Sequence, residues 1–155
     1  MDTLLHPMLV HFPIALFITS VLFDVLGIWL TRESVREGAL WLLVLGLLAG
    51  LAAFASGDLA AEGAEKAGFA ESLIETHEHL AGATVGVFGA LLAWRLLLRN
   101  RFSRRTQIAY LMIAIVGLGL LSATGHYGGS LVYEHGVGIR AAARMSNQAE
   151  TVSHR

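Results

Sequence analysis

Four blocks of this chain are each long and apolar enough to form a membrane-spanning helix, and nothing constrains its fold more. A helix needs about 20 apolar residues to cross a bilayer. Residues 8–30 hold one acid, Asp24, and are otherwise apolar. Residues 38–56 carry no charge. Residues 79–98 carry Arg95 near their end, where a long side chain can snorkel to the interface. Residues 106–125 are again uncharged. The blocks run on instead of alternating, so they do not read as barrel strands, and helices are the other structure that satisfies its backbone in lipid. The composition agrees: 55% of residues are hydrophobic and 15% charged, where a soluble domain is about a quarter charged.

The expectation is therefore an all-α integral membrane four-helix bundle, up-and-down, over residues 1–138, with helices near the four blocks. A Gly- and His-rich outer loop is expected over 126–138 and a tail over 139–155. The first block is read as an internal helix and not as a secretory signal. No basic residue precedes it, it is long for a signal core, and no small-x-small cleavage pattern follows. No clear repeat stands out along the chain.

Charge sets the expected orientation. The first connection carries Arg32 and Arg36; the third carries Arg99, Arg101, Arg104 and Arg105. The second has Lys66 against Asp58, Glu62, Glu65, Glu71, Glu75 and Glu78. Basic loops stay in the cytoplasm. Both termini and the acidic second connection then face the periplasm, across a bacterial inner membrane. A net charge of −1 argues against nucleic acid as a partner.

Six of the seven histidines then fall at one end of the bundle. His6 and His11 open the first helix, His77 and His79 open the third, His126 closes the fourth, and His135 follows it. His154 lies in the tail. Neutral imidazole binds zinc, copper and iron. Ionisable groups in a membrane protein are functional candidates. The chain has no cysteine, which removes disulfides, thiolate sites, iron–sulfur clusters and covalent c-type haem.

Periodicity sorts these side chains. His77 and His79 are about 200° apart round a helix, so one of the two faces the interior. His79 is the expected one, because it heads a stripe of small residues, Gly82, Gly86 and Gly89/Ala90. Similar stripes run through Gly46, Gly50, Ala53 and Gly57, and through Gly119, Ser122 and His126. Small residues let helices approach closely, and they also leave room for a flat macrocycle. Pro7 suits a first helical turn. Pro13 either kinks the first helix, freeing the carbonyl of Leu9, or marks its start. Asp24 sits about 20 Å beyond His11 along a helix, too far to join the histidines. A bond to a neighbouring helix and a proton relay are its two open roles.

"HPMLVHFPIAL" at 6–16, "SGDLAA" at 56–61, "HEHLAG" at 77–82 and "GHYGGSLVYEHGVG" at 125–138 together resemble a bacterial integral-membrane family, domain of unknown function 2231. The resemblance spans all four helices and implies a multi-pass membrane protein. It implies no activity. Within that pattern the segment after His126 is expected to turn back over the outer mouth. His135 is then a ligand or a support for one, or the segment is a surface loop with Tyr127 and Tyr133 at the headgroups.

Three functions fit these residues. The first is a b-type cytochrome module. Its haem b is ligated by His11 and His79, with His126 as the first substitute, while His6, His77, His135 and Arg140 stand near the propionates. Six histidines would suffice for two haems. Its electrons would pass to a periplasmic redox partner or a quinol. The second is a copper or zinc site from His6, His11, His77 or His79, and His126, with Asp58 or Glu78. The third is a structural subunit whose histidines make contacts only. With any of the three, the bilayer and a second copy of the chain in a homo-oligomer are expected partners. No nucleophile triad, phosphate loop or dinucleotide motif is present. An enzymatic part would be that of a membrane redox subunit of an oxidoreductase.

Overall fold

The computed structural model describes residues 5–66, 71–98 and 103–137. Among these the chain forms five helices: α1 (Leu5–Leu9), α2 (His11–Trp29), α3 (Glu33–Lys66), α4 (Glu71–Leu98) and α5 (Arg104–Tyr133). Four segments are long and apolar enough to cross a membrane: His6–Trp29, Glu33–Ala61, Ser72–Leu98 and Arg104–Tyr133. Only 17–33% of each most apolar window is buried inside the bundle. Trp29, Leu48, Leu97 and Ile115 point outward. A water-soluble fold does not leave so much apolar surface bare, whereas lipid solvates it.

Contacts fix the topology. In α1, just before α2, His6 meets Ala53 late in α3, while Ser20 midway along α2 donates to the Ala39 carbonyl early in α3 at 2.8 Å. These two helices are therefore antiparallel. His77 meets Thr124 in the same way, so α4 and α5 are antiparallel too. His6 lies beside His77 and Asp24 beside Arg95, so α2 and α4 run in the same direction. The result is an up-and-down bundle with a histidine end and an Asp24 end.

The elements differ from their sequence expectations mainly in length. α3 continues past residue 56 to Lys66, α4 begins at Glu71, and α5 continues past residue 125 to Tyr133. Most of the expected outer loop over 126–138 is thus helix. Each residue added to a helix satisfies its own backbone within the segment. The ladder therefore has no reason to stop where apolar residues give way to Gly128 and Gly129. At the start of the chain the break falls at Val10, between α1 and α2. Pro13 then stands in the first turn of α2, where its missing N–H is no loss.

The turn from α2 to α3 is tight. Leu30 and Arg32 donate backbone N–H groups to Leu26 and Gly27, and Thr31 takes a φ of 53° to close it. Gly27 lets α3 approach here, since a Cβ would stand 2.5 Å from Arg36 Cγ.

The two hairpins, α1–α2–α3 and α4–α5, repeat one another, which the sequence had not disclosed. His6 donates to a carbonyl 47 residues ahead, and so does His77. Asp24 and Arg95 are paired at a separation of 71 residues. The same separation relates His6 to His77 and Phe17 to Phe88. These rings meet as well: Phe17 and Phe88 are stacked with centroids 3.9 Å apart and planes 3° apart. Each residue meets its own counterpart, as positions on a two-fold axis do. Because α2 and α4 are parallel, that pseudo-axis runs along the bundle, and Phe17 and Phe88, both fully buried, form its centre. Gly46 and Gly117 are also counterparts, and each lets its helix close on one of those rings.

Candidate functional site

At the histidine end, His6 and His77 face each other across the pseudo-axis. Their ring centroids are 6.2 Å apart and their planes meet at 87°. His6 Nδ1 lies 2.9 Å from the Ala53 carbonyl and 3.1 Å from Ser56 Oγ. His77 Nδ1 lies 3.1 Å from the Thr124 carbonyl. A carbonyl only accepts, so Nδ1 carries the proton in both rings. Each neutral imidazole therefore keeps its lone pair on Nε2, the arrangement in which histidine serves as a ligand. Both side chains are half-buried.

The other candidates lie elsewhere. His79, the expected inward residue, is exposed, and its Nδ1 bonds the Glu75 carbonyl one turn back at 3.0 Å. The inward position belongs to His77. The stripe that His79 heads meets α3 in part: a Cβ at Gly82 would stand 3.6 Å from the Phe54 ring and one at Gly89 4.0 Å from Leu47, whereas one at Gly86 would meet nothing within 4 Å. His11 is exposed too and donates to the Pro7 carbonyl at 2.7 Å. The pair His11 and His79 is thus turned outward, whereas His6 and His77 converge. His126 is exposed, edge-on to Tyr127 at 5.8 Å. His135 turns back on its own helix end, 3.2 Å from the Ser130 carbonyl. Gly119 and Ser122 face outward. Arg140 and His154 lie outside the described residues. Among the described residues, no three His, Cys, Asp or Glu side chains converge in a way that would hold a metal ion by themselves.

Sequence reasoning missed the groups that seat the two inward rings. Ala53 and Thr124 act through their carbonyls, which carry no side-chain signature. Gly57 and Gly128 follow one turn later on the same helices and lie against the rings. A Cβ at either would stand 2.9 Å from the imidazole Cε1. The signal was present in "SGDLAA" and "GHYGGS", but the partners of those glycines were not.

At the opposite end, Asp24 is buried and receives hydrogen bonds from Arg95 and, at 3.2 Å, from the Tyr110 hydroxyl. Arg95 also donates to the Arg36 carbonyl. Arg95 is 9% exposed, so it does not snorkel; it turns inward and neutralises the acid. A small cleft beside the pair is lined by Ile28, Arg36, Gln107 and Tyr110. Every buried side-chain polar atom among the described residues has a partner.

Four membrane-capable helices in two repeated hairpins, with a histidine pair at one end, define a multi-pass membrane protein. The chain belongs to the DUF2231 family, described as a predicted membrane protein, whose model matches residues 3–141. No curated protein and no solved structure matches the chain.

Proposed function

We propose that the histidine end binds a b-type haem, whose iron His6 and His77 would hold, and that the protein is an electron-transfer module. The observation that carries this reading is the pair of imidazoles with free Nε2 atoms and centroids 6.2 Å apart. Two imidazoles on separate helices, each with its Nδ1–H tied to a carbonyl, are a donor set that would suit the iron of a haem. A macrocycle supplies four further ligands, so two protein ligands suffice. Bare zinc asks for three or four protein ligands. A copper or zinc site therefore remains the second reading, favoured only if the exposed histidines are drawn in. The absence of cysteine suits haem held without thioether bonds.

Haem bound there would supply a one-electron couple. The chain's own part is to orient the rings. Nδ1–H bonds to the Ala53 and Thr124 carbonyls fix each tautomer and make Nε2 a stronger donor. Arg32, Arg36, Arg104 and Arg105 lie at the Asp24 end; Asp58, Glu75 and Glu134 lie at the histidine end. By the positive-inside rule this supports an inner-membrane orientation with the site toward the periplasm, open to a redox protein or quinol there.

The test is a reduced-minus-oxidised spectrum of the purified protein with a haemochrome assay. Near-stoichiometric haem b is expected. His6→Ala and His77→Ala should each lose most of it, while His11→Ala and His79→Ala keep it. The reverse pattern would restore the outward pair as ligands. A protein without haem that carries copper or zinc would replace this reading with the second one.

A further inference from the structure

We infer that Gly57 and Gly128 are matched positioning residues, one in each hairpin, that press His6 and His77 against their carbonyl acceptors. What the rings hold rests on the reading above; the positioning itself does not.

Two independent sets of contacts carry the inference. In the first hairpin, the His6 ring lies between the Ala53 carbonyl, which accepts its Nδ1–H, and Gly57 one turn on. A Cβ at Gly57 would come within 2.9 Å of Cε1 and 3.3 Å of Nδ1. In the second hairpin, the His77 ring lies between the Thr124 carbonyl and Gly128, where the same two distances are 2.9 and 3.3 Å. The helices are different, and the sequences around the glycines differ, yet both rings lie between a carbonyl and a glycine one turn on; Ser56 Oγ, 3.1 Å from Nδ1, is an addition at His6 alone. Neither glycine has a positive φ. Backbone freedom therefore does not explain them, and both stand inside helices where glycine is unfavourable by about 1 kcal/mol against alanine. What each provides is space for a ring to lie on the helix backbone. A methyl group there displaces the ring, and with it the Nδ1–H bond that sets the tautomer and aim of Nε2.

This reading and a merely structural one differ in sign. If the glycines were incidental, alanine would leave stability equal or higher through helix propensity and leave the rings in place. If they position the rings, Gly57→Ala should disturb His6 and spare His77, and Gly128→Ala the converse.

The experiment is imidazole ¹⁵N NMR of the full-length protein prepared without haem, alongside haem titration of the same variants. The Nδ1–H signal of the adjacent histidine should shift or vanish in each single variant, and haem affinity should fall about 10- to 100-fold. As a check that does not depend on the variants folding well, any stability cost of Gly57→Ala should disappear in a His6→Ala background, because the ring it strikes is gone. Unchanged Nδ1–H signals in both variants, or a cost that persists without the ring, would overturn the inference. If the wild-type protein takes up no haem, the function proposed above fails, while the NMR and the double variant still decide the role of the glycines.

Discussion

Asp24 and Arg95 show how much a single residue can depend on one partner. Each is a charge inside a membrane-spanning segment. Lipid offers neither any solvation, so each is tolerated because the other neutralises it. Tyr110 and the Arg36 carbonyl complete the bonding. Arg95→Ala removes one half and leaves an uncompensated buried acid, for which about 3–5 kcal/mol of destabilisation is expected. Reversible unfolding in mixed micelles would measure it, and a loss near zero would mean that Asp24 is neutral in the native protein. The sequence placed an acid and a base in these helices and allowed Asp24 a helix partner, but it sent Arg95 to the interface. Snorkelling and pairing use the same residue near the same helix end. Only the position of α2 relative to α4 chooses between them.

Among the elements, the α2–α3 turn carries the clearest local cost. Thr31 adopts a φ of 53°, a region that β-branched residues rarely enter. The turn needs that conformation because the Arg32 N–H reaches back to the Gly27 carbonyl. Thr31→Gly keeps the geometry and removes the strain, so stability should rise by about 1 kcal/mol. An unchanged or lower unfolding midpoint would show that the Thr31 hydroxyl, bonded to the Leu30 carbonyl at 2.8 Å, offsets the strain. Helix existence was legible from apolar runs, since a bilayer permits little else. Helix ends were not. Hydropathy marks where lipid stops, whereas the ladder of α5 continues through Gly128 and Gly129 to Tyr133. The face of α4 was also misjudged. Gly82 and Gly89 of the small-residue stripe meet α3, while His77 turns to α5, where the Thr124 carbonyl and Gly128 receive it.

Taken as a whole, the molecule is two hairpins about one pseudo-axis, with His6/His77, Phe17/Phe88 and Asp24/Arg95 along it. The last pair is where the repeat is unequal, and this makes a direct test of it. Equivalent positions should tolerate exchange. Asp24→Arg and Arg95→Asp should each destabilise the protein strongly, and the double variant should recover more than half of the loss. A double variant no more stable than the single ones would show that the two hairpins offer different surroundings to the charges.

By itself the sequence determined the class of this protein: four spans, an all-helical bundle, a cysteine-free chain, and histidines gathered at one end. Those properties follow from composition and from the length that lipid demands, and both are additive along a chain. Only the tertiary structure decided which histidines meet, what Arg95 bonds, and that the two halves repeat. Each of these depends on a residue of one helix touching a backbone carbonyl, a glycine or a ring of another. Such contacts leave no local period to read, and the repeat lies in position, since most residues 71 apart differ in identity.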